Sequence, residues 1–145
     1  MTRADRLQPL HELVGQNEMN CAMRLAESER KGGEAEQRLA DLLRYRQEYE
    51  QTFHAQASGG APMRGLRQQQ IFIARLGEAV RAQQALLEQL RAECTAARAQ
   101  WREAATRKQA VGKVIEKARL EEHMKDARRQ QRELDELAGQ RRVRR

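Results

Sequence analysis

The side chains best suited to proton transfer, nucleophilic attack or metal ligation in this chain are His11, His54 and His123, with Cys21 and Cys94. Their spacing argues against each of those chemistries. The histidines stand far apart on polar, charged stretches and read as solvated side chains. The two cysteines form neither a disulfide framework nor a metal-ligand pattern, and read as buried thiols in a reducing compartment. No phosphate-cradling glycine motif or nucleophile elbow is present. Carboxylates are plentiful, 21 Asp and Glu in all, but nothing in the pattern builds a concave, water-excluding pocket to tune them. The expectation is a non-enzymatic protein with no catalytic residues, no cofactor and no metal.

Recognition is the chemistry left. Aromatic side chains make up only 3% of the chain, yet four of the five fall close together, as Tyr45, Tyr49, Phe53 and Phe72. Aromatics grouped on an otherwise polar surface favour a protein-binding hot spot. The alternative is that they act as lids over a wide apolar seam.

The elements that must carry these residues follow from the stretch Ser58-Gly59-Gly60-Ala61-Pro62-Met63-Arg64-Gly65. Glycine costs a helix interior about 1 kcal/mol and proline about 3, so residues 58–65 read as the turn between two helices, 5–57 and 66–140. The first opens with Asp5 as N-cap and Pro9 in the first turn. Its apolar stripe runs Leu7, Leu10, Val14, Glu18, Cys21, Leu25, Ser28, Gly32, Ala35, Leu39, Leu42, Arg46, Tyr49, Phe53, with a stutter between Val14 and Glu18. Gly32-Gly33 either admit a close approach of the second helix or form a soft point, and the soft point is favoured. The second helix repeats Leu66, Ile73, Val80, Leu87, Cys94 and Trp101 at strict heptad spacing. With 34% charged residues and a narrow apolar stripe, the chain fits an all-α fold: one domain, a long two-helix antiparallel coiled-coil hairpin.

Charge favours the same pairing. Residues 1–57 carry 8 basic and 10 acidic side chains, residues 58–118 carry 11 and 5, and the whole chain is +7. An acidic first arm and a basic second arm attract each other within one chain. The arms are unequal, about 75 Å and 120 Å of helix at 1.5 Å per residue. Pairing residue i with about 120−i therefore exhausts the first arm near residue 113, leaving roughly 114–145 as a C-terminal overhang that frays or finds a partner. In that register Tyr45, Phe72, Leu76 and Ala79 gather on one flank, beside Leu42 and Tyr49. The arginine-rich end, Arg141-Arg142-Val143-Arg144-Arg145, could attract nucleic acid. Residues 119–136 alternate in sign and offer no aromatic stacking platform, so nucleic acid is not the expected partner. A basic coiled coil that binds nucleic acid, or a general holdase chaperone, stands as the alternative reading. The opening residues lack a signal peptide's apolar stretch and no segment reaches the length of a membrane span, so a cytoplasmic location is expected.

Several segments, in order along the chain, resemble the FliJ family of flagellar export proteins: Arg6-Leu7-Gln8-Pro9-Leu10, Tyr45-Arg46-Gln47-Glu48-Tyr49, Gln70-Ile71-Phe72-Ile73-Ala74-Arg75-Leu76, Trp101-Arg102-Glu103 and Gln131-Arg132-Glu133-Leu134-Asp135-Glu136. The resemblance implies a cytoplasmic, stalk-like component of the flagellar type III protein export apparatus, serving flagellar biogenesis and motility. It would associate with the hexameric export ATPase, engage the cytoplasmic domain of the export gate and handle export chaperones, meeting the membrane only through partners. The family's gate-facing surface falls on Leu42, Tyr45, Tyr49, Phe72, Leu76 and Ala79, while Arg38 and Gln83 depart from the residue types at its edges. By the same resemblance Leu7, Leu10, Leu120, Met124, Arg128 and Arg132 would face the ATPase.

Overall fold

The computed structural model describes residues 1–144. Two helices account for nearly all of them, α1 (Arg3–Ser58) and α2 (Met63–Val143), and no strand occurs among the described residues. The expected all-α helical hairpin is what forms. The two helices run through two compact units, one of residues 1–21 with 101 onward, the other of residues 22–100.

In the unit of residues 22–100, the end of α1 and the start of α2 pair around the turn. The Ala61 amide donates to the Gln56 carbonyl at 3.1 Å and the Gly60 amide to that of Ala57 at 3.4 Å. Gly60 sits at φ 79°, in the left-handed region. These are the two bonds and the left-handed residue of a Schellman motif, which satisfies carbonyls that the end of α1 would otherwise orphan. Pro62 stands just ahead of α2, and its carbonyl accepts from Leu66 at 3.3 Å. Met63, Arg64 and Gly65 thus belong to α2, because a proline needs no amide donor at a helix start.

The packing of this unit is a seam. Ala35, Val80 and Leu87 are buried, and Leu39, Leu42, Phe53, Leu66, Ile73, Leu76 and Leu90 are half-buried beside them. Polar ties cross it: Gln83 Nε2 donates to the Ala35 carbonyl at 3.2 Å, and Arg91 and Arg98 pair with Glu36 and Glu29 at 3.1 and 3.4 Å. Both cross-helix ion pairs place the acid on α1 and the base on α2, as the charge asymmetry predicts. Gly32 and Gly33 lie in unbroken α1, and a Cβ on either would meet nothing within 4 Å. Close approach of α2 is therefore not their role.

In the other unit the start of α1 packs on the later part of α2. Ala4, Ile115 and Ala118 form a buried cluster, with Leu7 and Val111 against it; Cys21 and Ala104 are also buried. Both thiols are free, Cys21 buried and Cys94 of the other unit half-buried. The Arg3 amide donates to Glu122 Oε1 at 3.0 Å. Pairing thus extends past residue 113 to Glu122, and the exposed end begins at His123. Two small shifts cause this. Helix α1 starts at Arg3 rather than Asp5, and the pairs Tyr49–Phe72 and Arg3–Glu122 set a register slightly longer than 120−i.

The earlier helix start has its own cause. The Asp5 amide donates to Thr2 Oγ1 at 3.1 Å and the Thr2 amide to Asp5 Oδ2 at 3.3 Å. This reciprocal arrangement makes Thr2 the N-cap and Asp5 its third-position partner. Pro9 consequently lies inside the helix, where the Asp5 carbonyl receives no amide from it. Leu10 turns outward, 44% exposed, and His11 takes its place against α2. A Cβ on Gly112 would sit 3.9 Å from His11 Nε2, an ordinary van der Waals distance, so the imidazole lies beside this glycine.

Candidate protein-docking surface

A coiled-coil seam buries one stripe of each helix and leaves the positions on either side half in water. On α2, Phe72, Leu76 and Ala79 recur at i, i+4 and i+7 on one side of the seam. On α1, Leu42, Tyr45 and Tyr49 do so at i, i+3 and i+7, and antiparallel pairing brings the two rows to the same flank. Leu42, Leu76 and Ala79 are half-buried and form the floor. Above it Tyr45, Tyr49 and Phe72 are 49%, 44% and 42% exposed. The Tyr49 and Phe72 rings meet edge to face, centroids 4.7 Å apart at 61°, an arrangement that aromatic quadrupoles favour. Arg44 lies over Tyr45, its guanidinium carbon 5.9 Å from the ring centroid.

The stripe placed Tyr49 in the seam; it sits on the flank instead, while Phe53 is the aromatic that packs inward. At the edges of this surface Gln83 is engaged with the Ala35 carbonyl, and Arg38 is exposed. Aromatic side chains over a half-buried apolar floor offer contact area of the kind protein partners use. No group of three or more His, Cys, Asp or Glu able to hold a metal occurs among the described residues, and no described helix is long and apolar enough to cross a membrane.

The second set of residues divides. Leu7 packs on the Ala4–Ile115–Ala118 cluster and is no free contact. Leu10, Leu120 and Met124 are exposed, as are Arg128 and Arg132. Leu120, Met124, Arg128 and Arg132 follow one another at i+4 and share one face of α2. Leu134, Leu137 and Val143, further along, are also exposed.

One polar contact in this unit lay within reach of sequence reasoning but was not drawn from it. Trp101 Nε1 donates to Glu18 Oε1 at 3.0 Å, and Lys108 Nζ approaches the same carboxylate at 3.8 Å. The signal was a glutamate on the apolar stripe at the stutter, opposite the only tryptophan of the chain.

Comparison with curated proteins and with solved structures returns no match. A family model matches residues 3–145, and its description is Flagellar FliJ protein.

Proposed function

The chain belongs to the flagellar FliJ family, and we propose that it works in flagellar protein export as a non-enzymatic, stalk-like coupler between the export ATPase and the export gate. Its place is the cytoplasmic face of the export apparatus, where it also handles export chaperones. The unit containing the turn meets the cytoplasmic domain of the gate through Tyr45, Tyr49 and Phe72 over Leu42, Leu76 and Ala79. The unit containing the chain ends meets the ATPase hexamer through Leu10, Leu120, Met124, Arg128 and Arg132. Leu7 supports that surface from beneath.

The observation that carries this reading is the half-exposed Tyr45–Tyr49–Phe72 cluster. These are three of only five aromatic side chains; Tyr49 and Phe72 are in ring contact, and Tyr45 is exposed one turn away on the same flank. Tyrosine and phenylalanine supply large contact area with few rotatable bonds, which suits a specific protein partner.

The test is titration of the chain into the cytoplasmic domain of its cognate gate, alongside Tyr45→Ala/Phe72→Ala. The variant keeps its helix content and loses binding. Unchanged affinity would reduce the cluster to seam packing. Binding through this patch changes little between about 50 and 200 mM salt, whereas a nucleic-acid complex would weaken steeply over that range. For the other unit, the full chain raises ATP hydrolysis or ring assembly of the cognate ATPase, and a chain ending at Glu122 does not.

A further inference from the structure

On the side of the hairpin seam away from Phe72 lies a second groove that the coupler reading does not use. Its floor is Phe53 and Leu66, and its walls are Met63, Ile71, Arg64 and Arg67. Met63 is 82% exposed and Ile71 50%. Positions 63, 67 and 71 follow one another at i+4, so apolar and cationic side chains alternate along one face over two turns of α2. Phe72, Leu76 and Ala79 fall on the opposite side of the same helix.

The electrostatics here differ from the rest of the molecule. No Asp or Glu occurs between Glu50 and Glu78, in a chain that holds 21 of them. Arg64, Arg67 and Arg75 lie in this acid-free interval, and none takes part in an ion pair among the described residues. Outside this interval carboxylates are at hand, and Arg30, Arg44, Arg91 and Arg98 pair with them on their own helix or across the seam. The first turn of α2 carries no acidic residue, so the positive end of its dipole is also uncompensated. An apolar floor rimmed by unpaired guanidinium groups lacks two things, an apolar ridge to cover it and carboxylates to pair with it.

We propose that this groove docks an acidic amphipathic helix of a partner protein. Leucine-type side chains of the partner lie on Phe53, Met63 and Ile71, and its flanking carboxylates meet Arg64 and Arg67. The long, two-turn shape fits a helix laid in a groove, which is read through anchors at i, i+4 and i+7. Met63 adapts to different apolar side chains because its unbranched thioether has three rotatable bonds. The groove and the Tyr45–Phe72 surface are separate, so two partners can be held at the hairpin end at once.

The test uses a fluorescein-labelled synthetic helix with leucines along one face and glutamates on both sides of them. Controls are a scrambled peptide of equal composition and a lysine-for-glutamate version. Titrated with the full chain, the glutamate helix binds and both controls do not. Met63→Gln/Ile71→Gln and Arg64→Glu/Arg67→Glu, all at exposed positions, each weaken binding by roughly tenfold or more, the loss expected for an interface anchor. Circular dichroism confirms that helix content is kept. Tyr45→Ala/Phe72→Ala binds the peptide as the parent does, so failure of the gate assignment and failure of this one are told apart. Equal binding of the scrambled peptide, or parent-like binding by both groove variants, overturns the proposal. So does absence of peptide binding with capture by vesicles rich in phosphatidylserine that the groove variants lose, which would make the groove a lipid contact.

Discussion

The indole Nε1 of Trp101 donates a hydrogen bond to Glu18 Oε1 across the pair of helices, at 3.0 Å. Glu18 stands where the apolar stripe of α1 stutters, and its side chain is only 21% exposed. A carboxylate in a seam would ordinarily be a liability, since a polar group taken from water needs a partner. Trp101 supplies one, and Lys108 supplies the compensating charge at 3.8 Å. The bond ties one residue of α1 to one residue of α2, so it fixes register at the stutter of the apolar stripe.

Replacing Trp101 with Phe therefore removes a donor while keeping much of the ring. The chain should lose about 1 kcal/mol of stability, toward the lower end of the cost of an unsatisfied buried acceptor, because Glu18 retains Lys108 and some water. Trp101→Phe/Glu18→Leu removes donor and acceptor together and should lose less than the single variant, or nothing. Urea unfolding followed by far-ultraviolet circular dichroism checks both. Equal losses in the two variants would mean that shape alone, not the hydrogen bond, matters at this layer.

The first helical turn predicts an acid-sensitive start. The side-chain and then the backbone hydrogen bonds of Thr2 hold the Asp5 carboxyl below its usual range. In the other unit the guanidinium of Arg30 does the same for Glu27 through a side-chain hydrogen bond. For a lowered carboxylate the stabilising contribution is complete above the unfolded pKa, about 4. It is lost as pH falls through the folded value. The first turn of α1 should hold at neutral pH and fray as the pH drops below about 4. Residue-resolved carboxyl titration by NMR should place Asp5 and Glu27 below exposed carboxylates elsewhere in the chain. Asp5→Asn should remove the pH dependence of the first turn without touching that of Glu27.

How far the sequence reaches can be judged from these same residues. Heptad spacing and the Gly-Gly-Ala-Pro turn were enough to read two antiparallel helices, because each is a local signal repeated or punctuated strongly. The charge asymmetry likewise anticipated the Arg91–Glu36 and Arg98–Glu29 pairs. What escaped was fine angular placement. One residue on a helix turns a side chain by 100°, so Leu10 against His11, and Tyr49 between seam and flank, are decided by local packing rather than by pattern. Helix ends escaped for a related reason: Asp5 is a good N-cap by type, but Thr2 three residues earlier forms the reciprocal pair with it. The exposed flank of Tyr45 and Phe72 was legible because both stand one position off their stripes. The groove at Met63 and Ile71 was not, since it depends on how the turn sets α2 against Phe53.

Beyond Glu122 every described side chain of α2 is exposed. A helix that packs on nothing contributes little to cooperative stability, because tertiary burial supplies most of it. A chain ending at Glu122 should therefore melt within about 2 °C of the full chain, less than the roughly 2–4 °C that a 1 kcal/mol loss produces in a domain of comparable size. Ending it before Ala118 removes both Ala118 and the Glu122 contact with the Arg3 amide, and should lower the midpoint clearly. Thermal melts of the two truncations beside the full chain decide this. A large loss from the first truncation would mean that the exposed end is packed in solution, as it would be against a second copy.

The glycines divide by conformation, and one substitution should act with opposite sign at different positions. Gly60 holds φ 79° in the Schellman turn, a region that costs an L-residue roughly 1–2 kcal/mol. Gly60→Ala should destabilise the hairpin by about that amount. Gly32 and Gly33 lie within α1 with open space where a Cβ would point. There alanine removes the entropic cost of glycine in a helix and should stabilise by about 0.5–1 kcal/mol at each position. Chemical denaturation of the three single variants measures these signs directly. If Gly32-Gly33 serve as a soft point, Gly32→Ala/Gly33→Ala will be more stable and yet poorer at stimulating the cognate export ATPase. Hydrogen exchange at amides around residue 32 separates that case from a purely structural gain. Slowed local exchange with unchanged ATPase stimulation would leave the glycines with no role in coupling.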